Sequence, residues 1–183
     1  MERRTFFQWV TFTFTRLARA QTAGLPPDGV RTLRDLAVVV LPGSLDRERT
    51  DKIVDQFDRW IREYKPGSEI SSGYGFPRTQ VIPPSPALHY PEQLRQLETA
   101  AAAKGASFAK LDAAARREIV EAALAAAKVD SIPPRPNGRH IAADLMSYFY
   151  NSSAGEDLLY GVAIRRDECR GLSTSGERPA PLV

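Results

Sequence analysis

Fourteen prolines, six of them between residues 66 and 91, constrain this chain more than any other sequence feature. Proline lacks a backbone N–H and clashes with the preceding helical turn, so it ends or bends helices. The segments between the prolines carry apolar residues three and four positions apart, which is the periodicity of helices with one buried face. Outside the first 20 residues, no stretch of five or more alternates convincingly between apolar and polar side chains. These patterns predict an all-α fold, an irregular bundle of about five to six helices with a long proline-rich loop.

Apolar periodicity and capping residues place each predicted helix. The helices are expected at residues 32–41, from a cap at Ser44 or Asp46 to residue 64, at 91–103, from a cap at Asp112 to residue 128, at 141–150, and from a cap at Ser152 or Ser153 onward. Gly161 in the last helix costs about 1 kcal/mol relative to alanine, so we expect another backbone to cross closely there. Residues 66–91 are expected to be irregular. A chain of 183 residues suits one domain, which we place at 30–170, after a linker at 21–29 and before a polar tail at 171–183.

The charge distribution argues against nucleic-acid binding. The formal net charge is +3, and residues 1–20, with four arginines and one glutamate, account for all of it. The remaining chain is balanced, so it lacks the basic surplus expected of a protein that binds phosphate backbones. We therefore predict no nucleic-acid partner.

Few side chains could support catalysis or metal binding. Cys169 is the single cysteine, which excludes an internal disulfide, and His89 and His140 are the only histidines. Glu156 and Tyr160 lie four residues apart on a predicted helix and could form an acid–base pair, but this spacing is common on solvated helices. We predict no catalytic residue, no metal site and no cofactor in this chain.

The first 20 residues have the parts of an export leader. Arg3 and Arg4 are followed by Phe6 and Phe7, which is similar to the twin-arginine signal. The apolar run has about 12 residues, fewer than the roughly 20 that span a bilayer. We expect residues 1–20 to be a twin-arginine-like export leader, and the alternative is a short amphipathic helix that stays on the protein.

The most apolar stretch, residues 141–170, predicts a surface that binds another protein. In a helix, Ile141, Leu145 and Phe149 form one apolar stripe, whereas Met146 and Tyr150 lie near the opposite side. A helix that is apolar on two sides meets its own domain on one side and a partner on the other. The predicted interface residues are Met146, Tyr150, Tyr160, Arg165 and Arg166, with Tyr74 and Phe76 of the proline-rich loop. The loop residues could instead cover the chain's own core, and the two arginines could simply end the last helix. Trp60 is expected to pack in the core.

Three blocks resemble the gluconate 2-dehydrogenase subunit 3 family. They are residues 33–61 (LRDLAVVVLPGSLDRERTDKIVDQFDRWI), 108–124 (FAKLDAAARREIVEAAL) and 144–172 (DLMSYFYNSSAGEDLLYGVAIRRDECRGL). The resemblance covers most of residues 33–172, and the arginine-led start is also similar to leaders in that family. Members of this family are small subunits of membrane-associated flavin dehydrogenase complexes.

The resemblance implies a non-catalytic subunit in a periplasmic complex at the inner membrane. The partner would be an FAD-dependent catalytic subunit of the glucose-methanol-choline type that oxidises a sugar or an alcohol. A cytochrome c subunit would carry haem c, and Arg3 and Arg4 would bring the folded pair to the twin-arginine translocase. Two other hypotheses stay open: a free-standing periplasmic binding or chaperone module, and an independent enzyme.

Overall fold

The structure is a computed structural model that describes residues 24–71, 78–166 and 176–182. Within these ranges the chain forms α1 (Pro27–Val40), α2 (Arg47–Glu63), β1 (Gly67–Ser71), β2 (Arg78–Ile82), α3 (Tyr90–Ala103), α4 (Ala113–Ala126), α5 (Ile141–Tyr150) and α6 (Ser153–Tyr160). Short 3-10 helices, Pro86–His89 and Phe108–Lys110, precede α3 and α4. The predicted all-α class, with five to six helices, is confirmed. In these three ranges, no helix combines the length and the apolarity that crossing a membrane requires.

Short polar side chains determine where three helices begin. Asp46 accepts a 2.7 Å hydrogen bond from the backbone N–H of Arg49 at the start of α2. Asp112 accepts an equivalent bond from Ala115 at the start of α4, and Ser152 caps α6. These side chains satisfy backbone donors that have no partner inside the helix. All three are among the caps predicted from the sequence.

The first helix begins earlier than expected. α1 starts at Pro27 rather than at residue 32. Proline is well tolerated in a first turn, because its missing N–H would have no helical partner there. The backbone N–H of Leu25 donates a 3.4 Å hydrogen bond to the carboxylate of Asp58 on α2. The folded body therefore starts inside the predicted linker.

α5 lies at the centre of the bundle and is buried on almost every side. Seven of its ten residues are buried, including the polar Asp144 and Ser147, because it packs against α1, α2, α3, α4 and α6. The large side chains buried completely in the core are Val54, Phe57, Leu33, Leu36, Tyr90, Leu94, Leu97, Phe108, Ile141, Leu145 and Phe149. The second apolar side predicted for this helix is thus largely covered by the chain itself: Met146 is half-buried, and Tyr150 in the last turn remains 47% exposed.

Residues 67–82 contain an antiparallel hairpin in a segment that the sequence predicts to be irregular. β1 and β2 pair from Gly67 opposite Ile82 to Ser71 opposite Arg78. The hydroxyl of Tyr64 donates a 3.0 Å hydrogen bond to the carbonyl of Pro83, which ties the base of the hairpin to the end of α2. The irregular-loop prediction is wrong for these strands. They escape recognition because the strand residues whose burial is described are exposed or only partly buried, so they do not require an alternating apolar pattern.

The chain turns back on itself after α6. Gly161 ends this helix in the left-handed conformation, with φ 66° and open space where a Cβ would be. The close backbone crossing expected at Gly161 is therefore wrong, and it occurs at Gly155, where an added Cβ would lie 2.8 Å from Cα of Tyr150. The N–H of Leu182 donates a 3.0 Å hydrogen bond to the carbonyl of Gly161. Part of the predicted polar tail thus pairs with the end of α6.

Candidate partner-binding surfaces

A large open groove, the α2–α6 groove, runs between these two helices. Its volume is about 1630 Å³, which exceeds the roughly 300–1,000 Å³ of typical small-molecule sites. One wall comes from α2, and the other comes from Tyr148 of α5 and the first turns of α6. Ile82 of β2 and Leu182 near the carboxyl terminus also line it. Its size suits a polypeptide segment better than a small molecule.

The groove lining is strongly cationic. Its described residues include two carboxylates, Glu63 and Asp157, and seven basic side chains, namely Arg49, Lys52, Arg59, Arg62, Lys65, Arg165 and Arg166. Three of the basic side chains form ion pairs: Arg49 with Asp46, Arg62 with Asp58, and Arg166 with Glu156. Within the described ranges, Lys52, Arg59 and Lys65 have no carboxylate at ion-pair distance. These three cations are available to an anionic partner.

An aromatic cluster forms the apolar part of the groove wall. The indole of Trp60 stacks on Phe57 with ring centroids 5.6 Å apart, and it meets Tyr64 edge-on at 5.3 Å. Tyr148 lies 5.8 Å from Trp60 and joins α5 to α2. Burial raises the pKa of Tyr64 and of Tyr148, and the positive charge of Arg59 opposes the rise at Tyr148. Trp60 therefore packs on the core through Phe57, as predicted, and also lines the groove.

Two of the predicted interface residues, Arg165 and Arg166, line this groove. Because α6 ends at Tyr160, both lie beyond the helix and not in its last turn. The backbone N–H of Arg165 donates a 2.9 Å hydrogen bond to the carboxylate of Asp157, and Arg166 pairs with Glu156 at 2.5 Å. These two bonds fold the segment after α6 back onto the helix and bring both arginines to the groove.

The other predicted interface residues of this region lie outside the groove. Met146 is half-buried, whereas Tyr150 and Tyr160 are 47% and 65% exposed. Leu159 is 75% exposed and lies one turn after Gly155, the residue packed against the backbone of Tyr150. We call the exposed apolar side chains of Tyr150, Leu159 and Tyr160 the corner patch. Of these three residues, only Tyr150 belongs to the predicted second apolar side of α5, whereas Leu159 and Tyr160 lie on α6.

A further exposed apolar surface, the hairpin face, consists of Ile70 and Val81. The strand register places Ile70 opposite Thr79 and Val81 opposite Ser68, so both apolar side chains point to one side of the hairpin. Their side chains are 72% and 74% exposed. Ile82 points to the other side and lines the groove. The hairpin therefore contributes to the groove with one face and leaves the other uncovered.

Some predicted residues lie outside the described ranges. They are Arg3, Arg4, Phe6 and Phe7 of the export signal, and Tyr74 and Phe76 of the proline-rich loop. The predictions that rest on them stay predictions.

Three buried titratable groups, His140, Asp144 and Tyr90, lie outside the groove lining. His140 is 4% exposed, and its Nδ1 accepts a 3.2 Å hydrogen bond from the N–H of Ala142 at the start of α5. Burial lowers the pKa of His140, and the negative charge of Asp144 opposes this. In the described part of the chain, no group of three or more histidine, cysteine or carboxylate side chains is arranged to hold a metal ion.

The sequence contains a weak signal for the cationic groove. Arg49, Lys52 and Arg59 fall within about 80° of one another on the helix wheel, beside the aromatic stripe of Trp60 and Tyr64. The same helix side also carries acidic residues, so the pattern is also typical of a solvated face. Only the fold places these cations across from the segment that follows α6.

Comparison of the chain with protein-family models, with curated proteins and with solved structures finds no match in any of the three. The likeness to the gluconate 2-dehydrogenase subunit 3 family therefore rests on the three sequence blocks.

Proposed function

We propose that this chain is a non-catalytic small subunit that stabilises and escorts the flavin-containing catalytic subunit of a periplasmic sugar or alcohol dehydrogenase complex. The partner would hold FAD, a cytochrome c subunit would hold haem c, and the twin-arginine translocase would export the folded pair. The resemblance of three sequence blocks to the gluconate 2-dehydrogenase subunit 3 family supports the identity of these partners.

The hairpin face is the observation that carries the subunit role. A hairpin of two strands is at best marginally stable in water, and its open edges invite pairing with another chain. Here Ile70 and Val81 lie on the same side of the hairpin, and nearly three quarters of the surface of each residue is exposed. Covering such side chains stabilises an assembly by about 25 cal/mol per Å² of apolar area removed from water. A larger protein that packs against this face would supply the cover.

The corner patch adds a second uncovered area to the same proposal. Tyr150 and Tyr160 are amphipathic aromatic side chains, a type enriched in the buried centres of protein interfaces. Obligate subunit interfaces commonly bury more than roughly 2,000 Å² in total. One partner that contacts both the hairpin and the corner would cover both exposed apolar surfaces.

Co-expression with the product of the neighbouring gene tests the proposal. That gene is expected to encode a flavin oxidoreductase of the glucose-methanol-choline type, and the two chains are expected to co-purify in a fixed ratio. A variant with Arg3→Lys and Arg4→Lys is expected to leave the flavoprotein in the cytoplasm, because paired arginines define the export signal.

Other outcomes would contradict the proposal. Transient association without a fixed ratio would favour a free-standing binding or chaperone module. Turnover of a sugar or an alcohol by the purified chain alone, with an artificial electron acceptor, would favour an independent enzyme. Normal export of the flavoprotein with the double arginine variant would exclude the escort role.

A further inference from the structure

The α2–α6 groove differs chemically from the hairpin face and the corner patch. Those surfaces are apolar, whereas the groove combines an aromatic wall with Lys52, Arg59 and Lys65, which have no carboxylate at ion-pair distance in the described ranges. We infer that the groove binds an acidic, amphipathic segment of the partner polypeptide. This inference rests on the proposed subunit role and names the chemistry of what enters the groove.

Charge complementarity defines the polar side of that segment. Lys52 and Arg59 lie on one side of α2, about two turns apart, and Lys65 follows the end of the helix. Carboxylates at helical spacing on a bound segment would meet Lys52 and Arg59 together. Such pairs mainly speed association and select the partner.

The aromatic wall defines the apolar side of the segment. Trp60 and Tyr148 are half-buried beside the partly buried Leu158 of α6, so apolar side chains laid here would complete their burial. An amphipathic helix that places its apolar side in a groove is a common mode of recognition. The cations and the rings occupy the same groove, so a single segment with carboxylates beside its apolar residues satisfies both.

Two other occupants fit less well. Residues 1–20 carry four arginines and one glutamate, so this segment has the same charge sign as the groove. Nucleic acid could pair with the cations, but one face of Trp60 already stacks on Phe57, and the ring of Tyr64 packs nearly perpendicular to it. Single-stranded binders instead offer aromatic faces on which bases stack.

Titration of the full chain with labelled peptides tests the inference. The probe is an amphipathic peptide of glutamate, leucine and alanine, and the matched control peptide has glutamine in place of every glutamate. In a Trp9→Phe background, Trp60 is the only tryptophan, so its emission reports binding at the groove itself. The acidic peptide is expected to bind with a change in Trp60 emission, more tightly at low salt, whereas the glutamine peptide binds weakly.

Variants locate the binding site. Lys52→Glu with Arg59→Glu is expected to weaken binding of the acidic peptide about tenfold or more. Lys52→Gln with Arg59→Gln tests the same site with less charge perturbation and is expected to have a smaller effect in the same direction. Lys110→Glu with Arg117→Glu changes the net charge by the same amount as the groove variant, but at exposed positions outside the groove. This control is expected to leave binding unchanged. Urea unfolding of each variant checks that the fold is retained.

Three results would overturn the inference: no binding of the acidic peptide, equal binding by the groove and control variants, or preferential binding of a single-stranded oligonucleotide. The subunit role is tested separately. It fails if the wild-type chain does not co-purify with the flavoprotein, whereas the groove assignment fails if the Lys52→Glu, Arg59→Glu chain co-purifies as well as the wild type.

Discussion

The phenol oxygen of Tyr90 lies 2.7 Å from a carboxylate oxygen of Asp144, and both side chains are completely buried. The carboxylate also accepts hydrogen bonds from the backbone N–H groups of Asn137 and Gly138, at 2.9 and 2.7 Å. Burial, reinforced by the negative charge of Asp144, raises the pKa of Tyr90, so its hydroxyl stays a donor. One carboxylate thus joins α3, the loop before α5 and α5 itself.

Replacing Tyr90 with phenylalanine is expected to lower the free energy of unfolding by about 1–3 kcal/mol, because one oxygen of a buried carboxylate loses a donor. Urea unfolding followed by circular dichroism measures this. Tyr150→Phe removes the same hydroxyl from a half-exposed position on α5 and is expected to change stability by less than about 0.5 kcal/mol. Equal effects of the two substitutions would show that the contact with Asp144 contributes nothing to stability.

The cap at His140 is expected to make stability depend on pH. Since burial lowers the folded-state pKa of His140, the unfolded chain binds a proton more readily than the folded chain. The stability from neutral His140 is complete above the unfolded pKa of about 6.5 and falls as the pH drops below it, by up to about 1.4 kcal/mol per pH unit, until the folded pKa is reached.

His140→Asn separates this effect from the titration of carboxylates, because asparagine also caps helices but does not titrate in this range. Between about pH 7 and pH 5, the free energy of unfolding of the variant is expected to fall less than that of the wild type. The difference between the two corresponds to the uptake of one proton by His140 on unfolding. His89→Asn changes the exposed histidine and serves as the control. Parallel pH curves for His140→Asn and the wild type would contradict the expectation.

The close packing of α6 against the end of α5 requires glycine, which has no side chain, at position 155. In Gly155→Ala, the new Cβ would meet the carbonyl oxygen of Phe149 and lie 2.8 Å from Cα of Tyr150, and both are backbone atoms that cannot rotate away. We expect a loss of about 2 kcal/mol in the free energy of unfolding, measured in urea. Gly43→Ala, which has open space around it, is expected to stay within about 0.5 kcal/mol. Wild-type stability of Gly155→Ala would mean that the two helices separate at little cost.

The features that the sequence predicts well are local. Leu33, Leu36 and Ala37 are completely buried as their spacing indicates, and Asp46 and Asp112 cap helices as predicted. Each of these signals acts within a few residues of the chain. Helix periodicity and capping are therefore readable before the fold is known.

The features that the sequence does not predict join distant parts of the chain. Asp144 meets Tyr90 across 54 positions, and nothing near either residue indicates the other. The groove also joins distant parts of the chain. Arg165 and Arg166 were predicted for an interface, but the cations opposite them lie about 100 residues earlier, on α2. The hairpin escapes recognition for a different reason: its strands are exposed, and exposed strands need no apolar alternation.

The hairpin face provides a prediction that separates partner binding from folding. Ile70→Thr with Val81→Thr keeps β-branched side chains that favour strands, and it removes apolar surface only where the chain itself provides little cover. The free energy of unfolding of the isolated chain is therefore expected to change by less than about 0.5 kcal/mol. Co-purification of the flavoprotein is expected to fall about tenfold, because the interface loses much of the burial of two aliphatic side chains. Leu88→Thr alters an exposed aliphatic side chain outside the hairpin and the groove lining and is the matched control. Full co-purification by the double variant would place the interface elsewhere, and the corner patch at Tyr150 and Tyr160 would be the next surface to alter.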